Sequence, residues 1–168
     1  MRRTCEQFLM SYRDMLDQIS VLDDQIAEAE MIHRHLVATY DADPVRSSHG
    51  QREAESPEIL DLKARKEQMI QDAKRRRGEV ERFIRQIGDD RGPNALTVQR
   101  YRRALHLYYC DLLSWTEIRK LLRTTVTRKG RTVVNVARGR GISETAMFRI
   151  RSDALAQAEV TYQRMGLE

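Results

Sequence analysis

The chain has 168 residues, of which 40% are hydrophobic and 33% charged, with a formal net charge of +5. This is little apolar material for one compact sphere and suits long, solvent-washed helices, arranged as one domain or two small ones. Cys5 and Cys110 stand alone, which excludes a disulfide framework or a zinc-type cysteine spacing. No apolar run approaches the ~20 residues that span a bilayer, and no signal peptide is legible, so neither a leader nor a membrane partner is expected and the cytoplasm is the expected location.

Residues 1–40 contain neither proline nor glycine, and residues 4–40 read as one helix. Apolar or tolerable positions fall at Cys5, Phe8, Tyr12, Met15, Ile19, Leu22, Ile26, Ala29, His33, Leu36 and Tyr40. The steps alternate between three and four, which is a heptad seam, and Leu9, Leu16 and Val37 widen it. Cys5 on this stripe reads as a small buried thiol. Residues 41–57, with Pro44 and Gly50 in a Ser/Asp mixture, read as a loop. Ser56 can cap the next helix, with Pro57 at its first position.

Over 57–88 the heptad returns at Ile59, Leu62, Lys66, Met69, Ala73, Arg76, Val80, Phe83 and Ile87, broadened by Ile70 and Ile84. Lys66 and Arg76 interrupt the seam, as residues that snorkel or fix register. Two long amphipathic helices joined by one loop are expected to fold back as an antiparallel coiled-coil hairpin, forming a unit over 1–90; a homodimer through the same seams is the rival and the expected oligomer. Gly88 to Asn94 reads as a helix stop and hinge.

A third helix is expected over 95–113, with a stripe at Val98, Tyr101, Leu105, Tyr108 and Leu112. Ser114 and Glu117 form an S-x-x-E capping box for a short fourth helix, with Trp115, Ile118, Leu121 and Leu122 facing inward. Thr124 to Val136 is rich in Thr and Val around Arg128-Lys129-Gly130-Arg131, the signature of a short β-hairpin inserted over 123–141. Ser143 caps a last helix running to about Met165, with Met147, Ile150, Ala154, Ala158 and Tyr162 inward and Glu144, Thr145, Phe148, Arg149 and Ser152 outward. The fold class is therefore all-α: a coiled-coil hairpin followed, over 94–168, by a helix-turn-helix domain carrying the insertion.

Charge is placed unevenly. Asn94 to Arg151 holds thirteen Arg or Lys against three acids, a net +10, so the remainder of a chain of total +5 carries −5. Two separately capped helices beside a basic surface point to double-stranded DNA. The first two turns of the last helix would lie in the major groove, where Thr145, Phe148, Arg149 and Ser152 are the candidates to reach bases. Arg119, Lys120, Arg123, Arg128, Lys129, Arg131, Arg138, Arg140 and Arg151 are the candidates to grip phosphates, giving affinity without sequence information. Gly139-Arg140-Gly141 lacks the preceding strand and further glycines of a nucleotide-binding loop. His33 and His35 fall on different helix faces, and Asp23, Asp24, Glu28 and Glu30 read as a solvated face. No catalytic triad, paired buried carboxylate or metal cluster is legible, so neither an enzyme, a cofactor, a metal nor a small-molecule substrate is expected.

Several stretches carry a family resemblance: Asp43-Pro44-Val45-Arg46-Ser47-Ser48, Tyr101 with Leu105, Ser114-Trp115-Thr116-Glu117-Ile118, and Ser143 to Ile150 continuing through Ala154-Leu155. In order and spacing they resemble small phage and prophage proteins of formally unknown function. Those proteins have an N-terminal coiled coil and a C-terminal domain like region 4 of bacterial sigma factors, and are similar to phage late-operon transcriptional activators. The resemblance implies a sequence-specific DNA-binding regulator acting on late genes, with host RNA polymerase as a further partner. Where the family joins its two reader helices by a tight turn, the stretch Arg123 to Gly141 intervenes here. Two alternatives are a DNA-binding component of phage genome packaging and a structural coiled-coil protein with a nonspecific basic tail.

Overall fold

The computed structural model describes residues 4–41, 56–88, 94–122, 124–128, 131–135 and 142–167, with side chains described for 4–36, 56–88, 94–122 and 142–167. The architecture is helical. The chain runs through α1 (Cys5–Asp41), α2 (Pro57–Gln86), α3 (Ala95–Tyr109), α4 (Trp115–Leu121) and α5 (Glu144–Arg164). Between α4 and α5, β1 (Thr124–Arg128) pairs antiparallel with β2 (Arg131–Asn135), Val126 opposite Val133 and Arg128 opposite Arg131. No helix among the described residues is long and apolar enough to cross a membrane.

Two compact units divide the chain: Met1–Arg13 with Arg76–Glu168, and Asp14–Arg75. The division thus falls inside α1 and α2 rather than at the 90–94 hinge. The reason lies in the seam itself. Cys5 and Leu9 from the start of α1, and Val80, Phe83, Ile84 and Ile87 from the end of α2, are buried with Leu105, Tyr109 and Cys110 of the α3 segment and with Ala154, Ala158 and Tyr162 of α5. The heptad ends therefore serve a globular core. Alanines at 104, 154 and 158, all fully buried, leave room for α3 and α5 to approach closely. Phe83 and Tyr162 are buried in this core and Phe8 packs against them, with ring centroids 5.3 to 6.0 Å apart, at the spacing aromatic pairs favour. Burial pushes the Cys5 thiol up to about 12, so it stays protonated in the core.

In the unit Asp14–Arg75, Leu22, Ile26, Ile59 and Ala73 are buried. Lys66 pairs with Asp23, and Lys63 with Glu30 at 2.8 Å, so the partners run in opposite chain order along the two helices. Lys66 interrupts the apolar seam and meets a carboxylate there. The bond from Lys63 holds Glu30 below its usual carboxylate value. The expected seam fades toward its end: Leu36 is exposed. Ser56 caps α2, its hydroxyl accepting from the Ile59 N–H at 3.3 Å.

Turns fix how α3 and α4 follow. Gly88 has φ +71°, the left-handed region that favours glycine. Arg102 reaches back from α3 to donate to the Ile87 carbonyl at 2.7 Å and the Gly88 carbonyl at 3.4 Å, covering carbonyls that the end of α2 leaves open. The third helix stops at Tyr109, short of the expected 113, and Leu112 is exposed at φ 62° rather than on the inner stripe. Closing this turn, the Asp111 N–H donates to the His106 carbonyl and the Leu113 N–H to the Leu107 carbonyl.

Candidate nucleic-acid interface

The short helix α4 and the longer α5 are each started by a serine. Ser114 accepts from the Glu117 N–H while the Glu117 carboxylate accepts from the Ser114 N–H at 2.8 Å and its hydroxyl at 2.7 Å. Those bonds hold the Glu117 carboxyl below the usual range. Ser143 accepts from the Ala146 N–H at 3.2 Å. Each cap satisfies an N–H that the first turn would otherwise leave unpaired.

A second core fixes the two helices together. Ala104, Ile118, Leu122, Ile142, Met147 and Ile150 are buried against one another, with Trp115 and Tyr108 at the margin. Leu121, expected inward, is 47% exposed, because this helix is only seven residues long and Ile118 and Leu122 already occupy its inner side. Two polar ties add to the packing: the Ile142 N–H donates to the Arg119 carbonyl at 3.2 Å, and the Arg119 guanidinium meets Glu144 at 3.2 Å. Trp115 stacks on Tyr108 with centroids 4.4 Å apart, and the Arg151 guanidinium lies 5.3 Å from the indole centroid.

This packing sorts the faces of α5. Met147, Ile150, Ala154, Ala158 and Tyr162 are buried, and Glu144, Thr145, Phe148, Arg149 and Ser152 are exposed. The exposed set recurs at helical spacing, so it forms one outward face over the first two turns. Phe148 is 71% exposed; a ring this open contributes little to the fold and is available to a partner. Beside it, a hollow of about 220 Å³ is lined by Trp115, Thr116, Arg119, Glu144, Met147, Phe148 and Arg151. On the other flank, Thr145 and Arg149 line a second hollow with Arg100, Tyr101 and Asp153, where the Tyr101 hydroxyl donates to Asp153 at 3.1 Å.

The candidate phosphate set divides. Lys120 and Arg151 are exposed near the α4–α5 pair, but Arg119 is engaged with Glu144 and Arg151 leans over Trp115. The backbones of Arg128 and Arg131 face each other at one end of the strand pair. The side chains of Arg123, Arg128, Lys129, Arg131, Arg138 and Arg140 lie outside the described residues, as do residues 42–55, expected as a loop, and 89–93, expected within a hinge.

One grouping is not legible in the sequence. Glu81, His106 and Cys110 bring a carboxylate, an imidazole and a thiol within 4.8 Å of one another. His106 and Cys110 lie four apart, a helical spacing, but Glu81 comes from another helix and no local pattern links it to them. Comparison of the chain with known protein families, with characterised proteins and with solved structures finds no match.

Proposed function

We propose that the chain is a sequence-specific DNA-binding regulator of the phage late-activator type, in which α4 and α5 act as a sigma region 4-like helix-turn-helix. The observation that carries this reading is the outward face of α5. Thr145, Phe148, Arg149 and Ser152 are exposed together at the start of a serine-capped helix whose opposite face is buried against α3 and α4. A helix presented this way, N-terminal turns outward and back face locked, is what major-groove reading requires. Arg149 takes the role of a bidentate partner for guanine, and Phe148 that of an apolar contact to a thymine methyl.

The basic segment between the two helices supplies the phosphate grip. Its surplus of charge steers the chain to any duplex and adds no sequence preference. The long helices α1 and α2 form the antiparallel hairpin that serves as spacer and dimer contact, and host RNA polymerase is the further partner that activation by a sigma-like module would need. Arg119 contributes by fixing α5 through Glu144, more than by touching phosphate itself.

The test is a paired titration. A preferred duplex is selected from random sequences with the full chain, and the affinities of the parent and of Arg149→Ala are measured on it and on scrambled DNA at fixed salt. The variant is expected to lose about 1–3 kcal/mol on the preferred duplex and much less on scrambled DNA. Equal losses on both would make Arg149 a backbone contact, and no loss on either would remove α5 from the interface.

A further inference from the structure

We propose that Glu81, His106 and Cys110 form a binding site for a single zinc ion, clasping the C-terminal part of α2 to the end of α3. The three ligand atoms lie within 4.8 Å of one another, and the Nε2 of His106 is 3.7 Å from a Glu81 oxygen. Ligands on a tetrahedral zinc, at about 2.0–2.3 Å from the metal, stand about 3.3–3.7 Å from each other. One of the three edges therefore already has the right length, and no edge exceeds 4.8 Å. A nitrogen, a sulfur and an oxygen make a donor set suited to zinc and unsuited to calcium or magnesium, which take oxygen ligands alone.

The orientation of the imidazole supports the site. Nδ1 of His106 lies 3.1 Å from an Asp111 carboxylate oxygen. An ionised carboxylate only accepts, so a bond here needs the proton on Nδ1, and Nε2 is the nitrogen turned toward Glu81. A carboxylate behind a ligating histidine is the usual way of fixing its ring and raising its basicity. Arg77 holds the Glu81 carboxylate in place, donating from Nε at 2.9 Å to the oxygen nearest the imidazole, and it reaches Asp111 at 3.5 Å.

Charge also closes. Glu81 and Asp111 carry one negative charge each and Arg77 one positive. Binding breaks the S–H bond of Cys110, releases that proton to solvent and forms a Zn–S bond. The thiolate and the divalent ion then bring the cluster to neutrality. The side chains of Glu81 and His106 are 25% and 39% exposed, so the fourth position is reached by water.

The experiment uses the full chain, reduced and stripped with a chelator, then titrated with zinc chloride and separately with cobalt chloride. One equivalent should bind. The cobalt form should show the visible bands of a four-coordinate ion together with a sulfur-to-cobalt charge-transfer band. At free zinc about 100 times Kd, the unfolding midpoint should rise by ~5–10 °C. Asp111→Asn should weaken binding by about 10–100-fold. Cys110 is in the core, so His106→Gln, at a half-exposed position, decides the matter: with its circular dichroism unchanged, it should lose the equivalent and the midpoint shift. Cys110→Ser, where folded, should lose the sulfur band. Absence of a stoichiometric equivalent overturns the proposal and leaves His106 as a ring set between two carboxylates. Parental affinity in His106→Gln, or a sulfur band that persists in Cys110→Ser, overturns it as well.

Discussion

Replacing Gly88 by alanine should destabilise the protein through two separable terms, and the structure fixes both. The residue sits at φ +71°, where a side chain bearing a Cβ costs about 1–2 kcal/mol. A Cβ built there would also stand 2.8 and 2.9 Å from the two methyl carbons of Val98, which is buried in α3. Such overlap forces a core side chain or its helix to move, at about 1–3 kcal/mol. Gly88→Ala should therefore cost ~2–5 kcal/mol in urea unfolding, seen as a lower midpoint with an unchanged slope. Val98→Ala alone removes two buried methyl groups, at about 0.8 kcal/mol each plus whatever cavity remains. The double variant separates the terms, because Val98→Ala takes away the atoms that the new Cβ would strike. It should be less destabilised than the two single changes together by about 1–3 kcal/mol, leaving only the backbone term of Gly88. Additivity within about 0.5 kcal/mol would refute the close approach of Gly88 to Val98.

Changing Arg128, Lys129 and Arg131 together to alanine should weaken binding to every duplex about equally, and the slope of log K against log salt should shrink by roughly 0.9 for each phosphate no longer neutralised; an unchanged slope would place the insertion away from DNA. Ser114→Ala removes a cap and should cost about 1 kcal/mol in thermal or urea unfolding. Because the native Glu117 carboxyl titrates below its ordinary value, its contribution is complete above the unfolded pKa and fades as pH falls through the lower folded one. Carboxyl NMR should show that midpoint moving up in Ser114→Ala. Sedimentation at micromolar concentration should give twice the 19.7 kDa chain mass, and a clean monomer would remove the dimer from the proposed function.

Helices were the most legible part of the sequence, because each carries its own local signals. Periodicity without proline or glycine marks α1, Ser56-Pro57 marks the start of α2, and Ser114 and Ser143 mark α4 and α5. The inward face of α5 was likewise readable, since its apolar residues fall on one side at helical spacing. What was not legible depends on which partner a stripe meets. The seam of α1 and α2 reads as one heptad pattern broken at Lys66 and Arg76, yet its ends are buried with α3 and α5 in a compact unit. A repeat of three and four says only that a face is apolar. Leu112 and Leu121 show the same limit, since a stripe extended past the last turn, or around a seven-residue helix, has no wall to face. Within the candidate site, exposure of Thr145, Phe148 and Arg149 followed from the pattern, whereas the pairing of Arg119 with Glu144 needed the geometry.

Trp115 is the single tryptophan of the chain, and it lies where α4 meets α5, in contact with a tyrosine ring and near a guanidinium. Its emission is thus a built-in gauge of this junction. Any ligand that draws Arg151 away from the indole, or that parts the stacked rings, changes the polarity and quenching around a lone fluorophore. The unlabelled protein can then report events at the outer face of α5 in real time, with no other indole contributing to the signal.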